Sequence, residues 1–205
     1  MRTFDRKLSD LRREGSWAEL IAALRSPEAQ GSEKHRQTIA DHLRRTDAPE
    51  ATAALEGLMR DPSPKVRTAA ARALGRQGAA SAVPTLVAGL TDTSVNVRCW
   101  AADALGELRD PTAVEALGQL TKDEQWPPRA YAARALGEIG HAAAAPWLAP
   151  LLRDSHKRVC LNAVNALERL DNPDTAELLA DAESDASPAC RKAIRKAVSR
   201  LEKRR

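Results

Sequence analysis

Aromatic residues are scarce in this chain, with one Phe, one Tyr and four Trp among 205 residues. Strands draw on aromatic and β-branched side chains, so a sandwich, a barrel or a parallel-sheet enzyme core is not expected. Long hydrophobic runs are missing as well: no stretch approaches the 18 uncharged apolar residues that mark a membrane span. The opening segment, MRTFDRKLSDLRREG, has none of the apolar run of a signal peptide. Cysteine is limited to three residues without C-x-x-C spacing, which argues against a disulfide framework and against zinc. These absences point to a reduced, cytoplasmic protein.

Alanine, by contrast, fills 40 positions and is the best helix former, so the expected class is all-α. The net charge of +4 is unevenly spread. Arg191, Lys192, Arg195, Lys196, Arg200, Lys203, Arg204 and Arg205 face only Asp185 and Glu202 from position 185 onward, so the body of the chain is slightly acidic.

A 31-residue period organises the sequence. Asp61, Asp92, Asp123, Asp154 and Asp185 follow one another at that interval without insertion. Counting from each Asp, position 5 reads Val66, Val97, Pro128, Val159, Cys190, and position 6 reads Arg67, Arg98, Arg129, Cys160, Arg191. Position 13 is Leu74, Leu105, Leu136, Leu167, Val198, and position 14 is Gly75, Gly106, Gly137, Glu168, Ser199. The apolar positions 5, 9, 12, 13 and 16 follow the spacing of an amphipathic helix. Ser63-Pro64 and Ser187-Pro188 read as an N-cap with Pro in the first turn, and Gly78 and Gly140 stand where a left-handed residue stops a helix. A second helix starts near Pro84 or Pro146 and carries Leu86, Leu117, Leu148 or Leu179. One such pair cannot bury its apolar face alone, so the pairs stack into a solenoid.

The pattern D-x-x-x-x-V-R-x-x-A-A-x-A-L-G-x-x-G, as in DPSPKVRTAAARALGRQG (61–78) and DTSVNVRCWAADALGELR (92–109), resembles the HEAT-like repeat of phycobilisome lyases. The third copy replaces Val with Pro128, and the fourth and fifth lose the internal Gly. The resemblance spans roughly residues 30–205 and implies one continuous HEAT-like α-solenoid of about six and a half repeats. Residues 1–29 form a divergent helix pair anchored by Trp17 and Leu24, 30–60 a decayed repeat, 61–184 four clear repeats, and 185–205 a basic capping helix.

Positions constant among copies answer to packing. The recurring Asp and Arg read as a structural pair between repeats, and the recurring Gly as a point of close helix approach. Function belongs where copies differ on an exposed stripe, positions 4, 8, 11 and 15 of the first helix, which the resemblance places on the concave face. That stripe includes Ala69, Arg72, Arg76, Trp100, Asp103, Glu107, Tyr131, Arg134, Glu138, Arg158, Asn162, Asn165, Arg169 and Arg200.

Trp100 and Tyr131 share position 8 in consecutive copies and would form an aromatic platform, with Trp126 near its edge or filling a packing gap. Trp, Tyr and Arg dominate binding hot spots. The expected partner-binding set is therefore Trp100, Tyr131, Arg72, Arg76, Asp103, Arg134, Arg158, Asn162 and Arg169. Arginines around aromatics suit an acidic peptide or single-stranded nucleic acid, and the interspersed Asp103, Glu107 and Glu138 favour a protein partner. The basic terminal helix reads as a solvated cap, or as a contact for nucleic acid or acidic lipid.

No catalytic motif is found. His35, His42, His141 and His156 fall at unrelated repeat positions and lack the His-Glu pairs of the deoxyhypusine hydroxylase class, so no metal and no cofactor are expected. Cys99, Cys160 and Cys190 read as small apolar packing residues. Two enzymatic alternatives come from resemblance alone: a bilin lyase or lyase subunit, and a HEAT-like DNA glycosylase using Trp100, Asp103 and Arg134. The expectation is a non-catalytic scaffold for an acidic peptide or partner protein, with nucleic-acid binding as the alternative.

Overall fold

A computed structural model describes residues 2–170 and 174–203. Among them there is no strand; the elements are α-helices and short 3-10 turns. The helices are α1 (Arg2–Glu14), α2 (Trp17–Ala23), α3 (Pro27–Gln30), α4 (Glu33–Leu43), α5 (Pro49–Leu58), α6 (Pro64–Gln77) and α7 (Val83–Gly89). They continue with α8 (Val95–Leu108), α9 (Val114–Leu120), α10 (Trp126–Ile139), α11 (Ala145–Leu148), α12 (Lys157–Leu167), α13 (Thr175–Ala182) and α14 (Pro188–Glu202). The chain divides into two compact units, residues 1–104 and 105–205.

In the first unit α4 packs on α6, with α5 behind both, and α1 and α2 lean on α4. The core is Leu20, Ile39, Leu43, Leu55, Val66, Leu74 and Leu86, each without solvent exposure. Leu20, and not the expected Leu24, is the buried anchor of α2; Leu24 follows the last helical residue and is half-buried. The helix signals behave as the sequence predicts. Ser63 accepts a hydrogen bond from the Lys65 amide ahead of Pro64, and Gly78 closes α6 at φ 71°. A half-buried glutamine also ties the end of α6 to the end of α4. Gln77 Nε2 donates to Leu43 O and Thr46 O, at 3.0 and 2.8 Å, while its Oε1 accepts from Thr52. It thereby satisfies carbonyls left over where α4 ends.

The second unit stacks α10, α12 and α14 in succession, with α9, α11 and α13 as the second layer. Its buried set includes Leu117, Leu136, Leu148, Val159, Leu167, Leu179 and Ile194. Two glycines allow the close approach. A Cβ on Gly137 would lie 2.6 Å from Ala166 Cα, and one on Gly106 would lie 3.0 Å from Ala135 Cα. Gly118 serves the other layer, with the Trp147 indole lying directly over it. Gly140 takes φ 72° after α10, and Arg109 stands at the equivalent position after α8 with φ 55°. That conformation costs an L-residue roughly 1–2 kcal/mol.

The recurring Asp and Arg form the expected ladder between repeats. Arg36 reaches Asp61, Arg67 reaches Asp92 and Arg129 reaches Asp154, each through Nε and Nη2 to both carboxylate oxygens at 2.6–3.1 Å. The remaining Nη1 donates back into the arginine's own repeat, to Asp61 O from Arg67 and to Asp123 O from Arg129, both at 2.8 Å. Burial pushes the Asp92 carboxyl up, yet the hydrogen bonds from Arg67 and the Ser94 amide, with the Arg67 charge, hold it below the ordinary value.

The ladder changes where Cys160 replaces the arginine. Cys160 and Cys190 form a disulfide with their Cα atoms 6.2 Å apart. This overturns the expectation that the cysteines only fill space; the third, Cys99, is buried on α8. Asp185, left without the usual partner, takes Arg153 at 3.0 Å on the exposed surface.

Candidate partner-binding surface

In the first unit the stripe side chains stand on α6 and α8. Arg72 lies over the Trp100 ring, guanidinium carbon to centroid 4.7 Å, and both are half-buried. A guanidinium held on an indole is oriented before any partner arrives, and the contact itself contributes about 0.5–2 kcal/mol. Arg76 is exposed and Asp103 half-buried on the same two helices. Ala69 departs from the expectation: it is 2% exposed and belongs to the core. A methyl group at this position is too short to project past its neighbours, whereas Trp100 and Tyr131 at the same position stay half-buried.

In the second unit an arginine again lies over an aromatic ring, here three residues away on the same helix. Arg134 lies 4.9 Å from the Tyr131 centroid, both on α10. Arg134 and Glu138 form one wall of a cleft of about 130 Å³, and Asn162, Asn165 and Ala166 of α12, with Arg169 just past its end, form the other. Arg169, Asn165 and the neighbouring Arg158 are exposed. The structure thus brings together Arg134, Asn162 and Arg169, three of the expected residues, with Tyr131 stacked beside them and Arg158 one turn away on α12. Asn162 is partly committed, since its Nδ2 donates to Ala130 O at 2.8 Å and ties α12 to α10. Glu138 tempers the positive charge: its Oε1 lies 3.9 Å from Arg134, and its Oε2 is buried against Gly106 without a hydrogen-bond partner.

Trp126 resolves to the packing reading. Its indole stacks on the His156 ring at 3.8 Å and 6°. The aromatic at position 3 of one repeat meets the residue at position 2 of the next, which a same-position comparison does not reveal. Trp147 packs on Gly118 under the Lys122 ammonium, as its second-helix position implies.

On α14 the basic residues divide into two groups. Arg195 pairs with Glu183, Arg200 makes two 2.8 Å bonds to Glu168, and Arg191 donates to the carbonyls of Glu183, Ser184 and Ala186. Lys192, Lys196 and Lys203 remain exposed, while Arg204 and Arg205 lie outside the described residues. Ile194 and Ala197 are buried, whereas Val198 and Leu201 are half-buried. The arginines therefore hold this helix down, and the lysines face water.

The histidines are packed separately. His35 is buried against Phe4, with Nδ1 3.1 Å from Glu28 O and Nε2 3.2 Å from Asp5, although that second approach lacks hydrogen-bond direction. Burial lowers the pKa of His42, helped by the charge of Arg12. Among the described residues no group of three His, Cys, Asp or Glu side chains forms a metal site, and no helix is long and apolar enough to cross a membrane.

An all-α solenoid of stacked helix pairs with a polar first-helix face is the class this architecture defines. The sequence pattern of HEAT repeats matches residues 17–94, 54–130 and 114–199, and the chain belongs to the HEAT-repeat family. Among solved structures it is similar to the complex of CpcE and CpcF of phycocyanin lyase from Nostoc sp. PCC7120. That match has 29% identity and a TM-score of 0.65 over 85% of this chain and 73% of the other. A designed armadillo repeat protein in complex with the peptide (KR)4 matches at 22% identity and TM-score 0.66, over 88% of this chain and 97% of that one. An engineered protein matches at 20% identity and TM-score 0.64, over 92% and 97%. The last two share the fold. Comparison with curated proteins by sequence gives no match.

Proposed function

We propose that this HEAT-repeat chain is a non-catalytic scaffold that binds an acidic segment of a partner protein along its first-helix face. The observation that carries the reading is the cleft of the second unit, where Arg134, Asn162, Asn165 and Arg169 converge beside Tyr131. Guanidinium groups fixed at a cleft make charge-assisted, bidentate bonds to carboxylates. The two carboxamides supply donors and acceptors for a peptide backbone, and Glu138 disfavours an unbroken run of phosphates. Trp100 with Arg72 offers the same chemistry on the first unit.

The test is fluorescence anisotropy with a labelled ten-residue Glu/Leu peptide, against a single-stranded DNA 20-mer as comparator. Each charge-assisted hydrogen bond contributes about 1.5–3 kcal/mol. Arg158→Glu combined with Arg169→Glu is therefore expected to weaken the peptide by at least about tenfold, with helicity unchanged. Equal peptide affinity in the variant would sink the proposal. Tighter DNA binding with a steep salt dependence would replace it with the nucleic-acid reading.

A second reading, a subunit of a bilin lyase complex, is supported by the 29% identity to the CpcE–CpcF structure. Co-expression with a second HEAT-repeat chain, a phycocyanin apoprotein and a bilin tests it by visible absorbance of the covalently attached chromophore. No attachment above the level seen without this chain would count against it.

A further inference from the structure

The pair Cys160–Cys190 stands at a repeat junction with its own logic. At three other junctions an arginine at position 6 of one repeat clasps the Asp that opens the next. Here position 6 is Cys160 on α12, and position 5 of the next repeat, valine in three of the other copies, is Cys190 in the first turn of α14. Both replacements fall on one junction, and their sulfurs are joined. The junction's Asp185 has moved to the surface to pair with Arg153, with 59% of its side chain exposed against 6–14% for Asp61, Asp92 and Asp154. A covalent link stands where the other junctions have an ion pair.

The reduced state is also accommodated. Cys160 Sγ lies 3.3 Å from Leu152 O, so a thiol there has an acceptor. Cys190 is fully buried and, once reduced, fills the place valine fills elsewhere. Neither state leaves an uncompensated buried charge.

We propose that Cys160 and Cys190 form a reversible dithiol–disulfide site that sets how firmly α14 is docked on α12. The oxidant is a small disulfide of the glutathione class. One protein thiolate attacks a sulfur of that disulfide, forming a mixed disulfide and releasing one small thiolate. The second protein thiolate then attacks the protein sulfur of the mixed disulfide, closing Cys160–Cys190 and releasing the second small thiol. Two protein thiols lose two protons and two electrons, and one small disulfide becomes two thiols. Both sulfurs are buried, so exchange follows local opening of α14. Oxidation ties the helix into a loop with a sequence separation of 30 residues, which removes open conformations.

The test uses the full chain equilibrated with glutathione at set ratios of disulfide to thiol. Alkylation of the denatured protein, counted by mass, is expected to give one label in the oxidised form, on Cys99, and three in the reduced form. Amides of residues 188–202 are expected to exchange at least about tenfold more slowly in the oxidised form. Cys160→Ser with Cys190→Ser removes the difference. Cys160→Arg with Cys190→Val, which restores the residues standing at these positions elsewhere, gives protection independent of the glutathione ratio. Three labels at every ratio, or equal exchange of residues 188–202 in both forms, overturns the proposal.

Discussion

Replacing Arg67 with Met tests the reasoning behind the Arg–Asp ladder. Arg67 makes two bonds to Asp92, at 2.7 and 2.8 Å, and a third to Asp61 O at 2.8 Å. Met fills similar volume but leaves the Asp92 carboxylate facing the repeat junction with the Ser94 amide and the charge of Arg98 as its remaining favourable neighbours. Stranding one partner of a fully buried ion pair costs about 3–5 kcal/mol. Both side chains here keep 14% exposure, so screening reduces the expected loss to about 2–4 kcal/mol. With a urea slope of about 2–3 kcal/mol/M, the midpoint falls by roughly 1 M.

The pH dependence fixes the sign. In the native protein the Asp92 pKa is depressed, so its contribution is present above the ordinary carboxylate value and is lost as pH falls through the lower folded value. Without Arg67 the burial cost prevails and the pKa rises, so protonation relieves the variant as pH falls. The gap between native protein and variant should therefore narrow from pH 7 to about 4.5. Adding Asp92→Asn, which removes the charge but keeps an acceptor for Ser94, should recover about 1 kcal/mol or more at pH 7. Urea titrations followed by far-UV circular dichroism measure all three. A variant within about 0.5 kcal/mol of native, or a gap that widens in acid, would refute the argument.

Gly137→Ala places a methyl group 2.6 Å from Ala166 Cα and should cost about 1–3 kcal/mol in thermal or urea unfolding. Gly57→Ala on α5 meets nothing within 4 Å and should gain about 0.5–1 kcal/mol. The pKa of His42 is lowered chiefly by burial. Native stability should therefore decline as pH falls below the ordinary histidine value toward the lower folded one, and His42→Leu should remove that decline in the same titrations.

The repeat made much of the fold legible. Ser63-Pro64, Gly78, the Arg–Asp pair and the small residue at position 14 each stand out on comparison with their own copies in the sequence. What escaped were contacts that cross between different positions of successive repeats. Cys160 meets Cys190 and Trp126 meets His156, each thirty residues apart. The close approach of Gly137 to Ala166 spans twenty-nine. Neighbouring first helices are staggered slightly against the 31-residue period, so a search for complementary side chains at separations of 29 and 30 would have found all three.

The candidate surface was legible in its arginines and aromatics, which alignment of the copies put on one stripe. The burial of Ala69 was not, because a methyl group fits a core or a surface equally well. Nor was the role of Gln77, whose three bonds fall outside the apolar pattern used to find the helix. The left-handed Arg109 also escaped, because the missing glycine marked a departure from the repeat without saying that the backbone would keep the glycine's conformation.

The Arg–Asp ladder has a direction: each repeat passes its arginine forward and offers its aspartate backward. A 31-residue segment duplicated in register therefore arrives with both halves of the joint it needs. Insertion ahead of Asp61, Asp92 or Asp154 separates an old pair and creates two equivalent ones, so recombination there can lengthen the array without new chemistry. Ahead of Asp185 a segment with arginine at position 6 and valine at position 5 parts Cys160 from Cys190 and leaves each cysteine facing a residue that cannot join it. Growth by copying is open at the arginine joints and closed at the sulfur one. The cysteine pair marks the place where a modular chain has become committed to a particular neighbour.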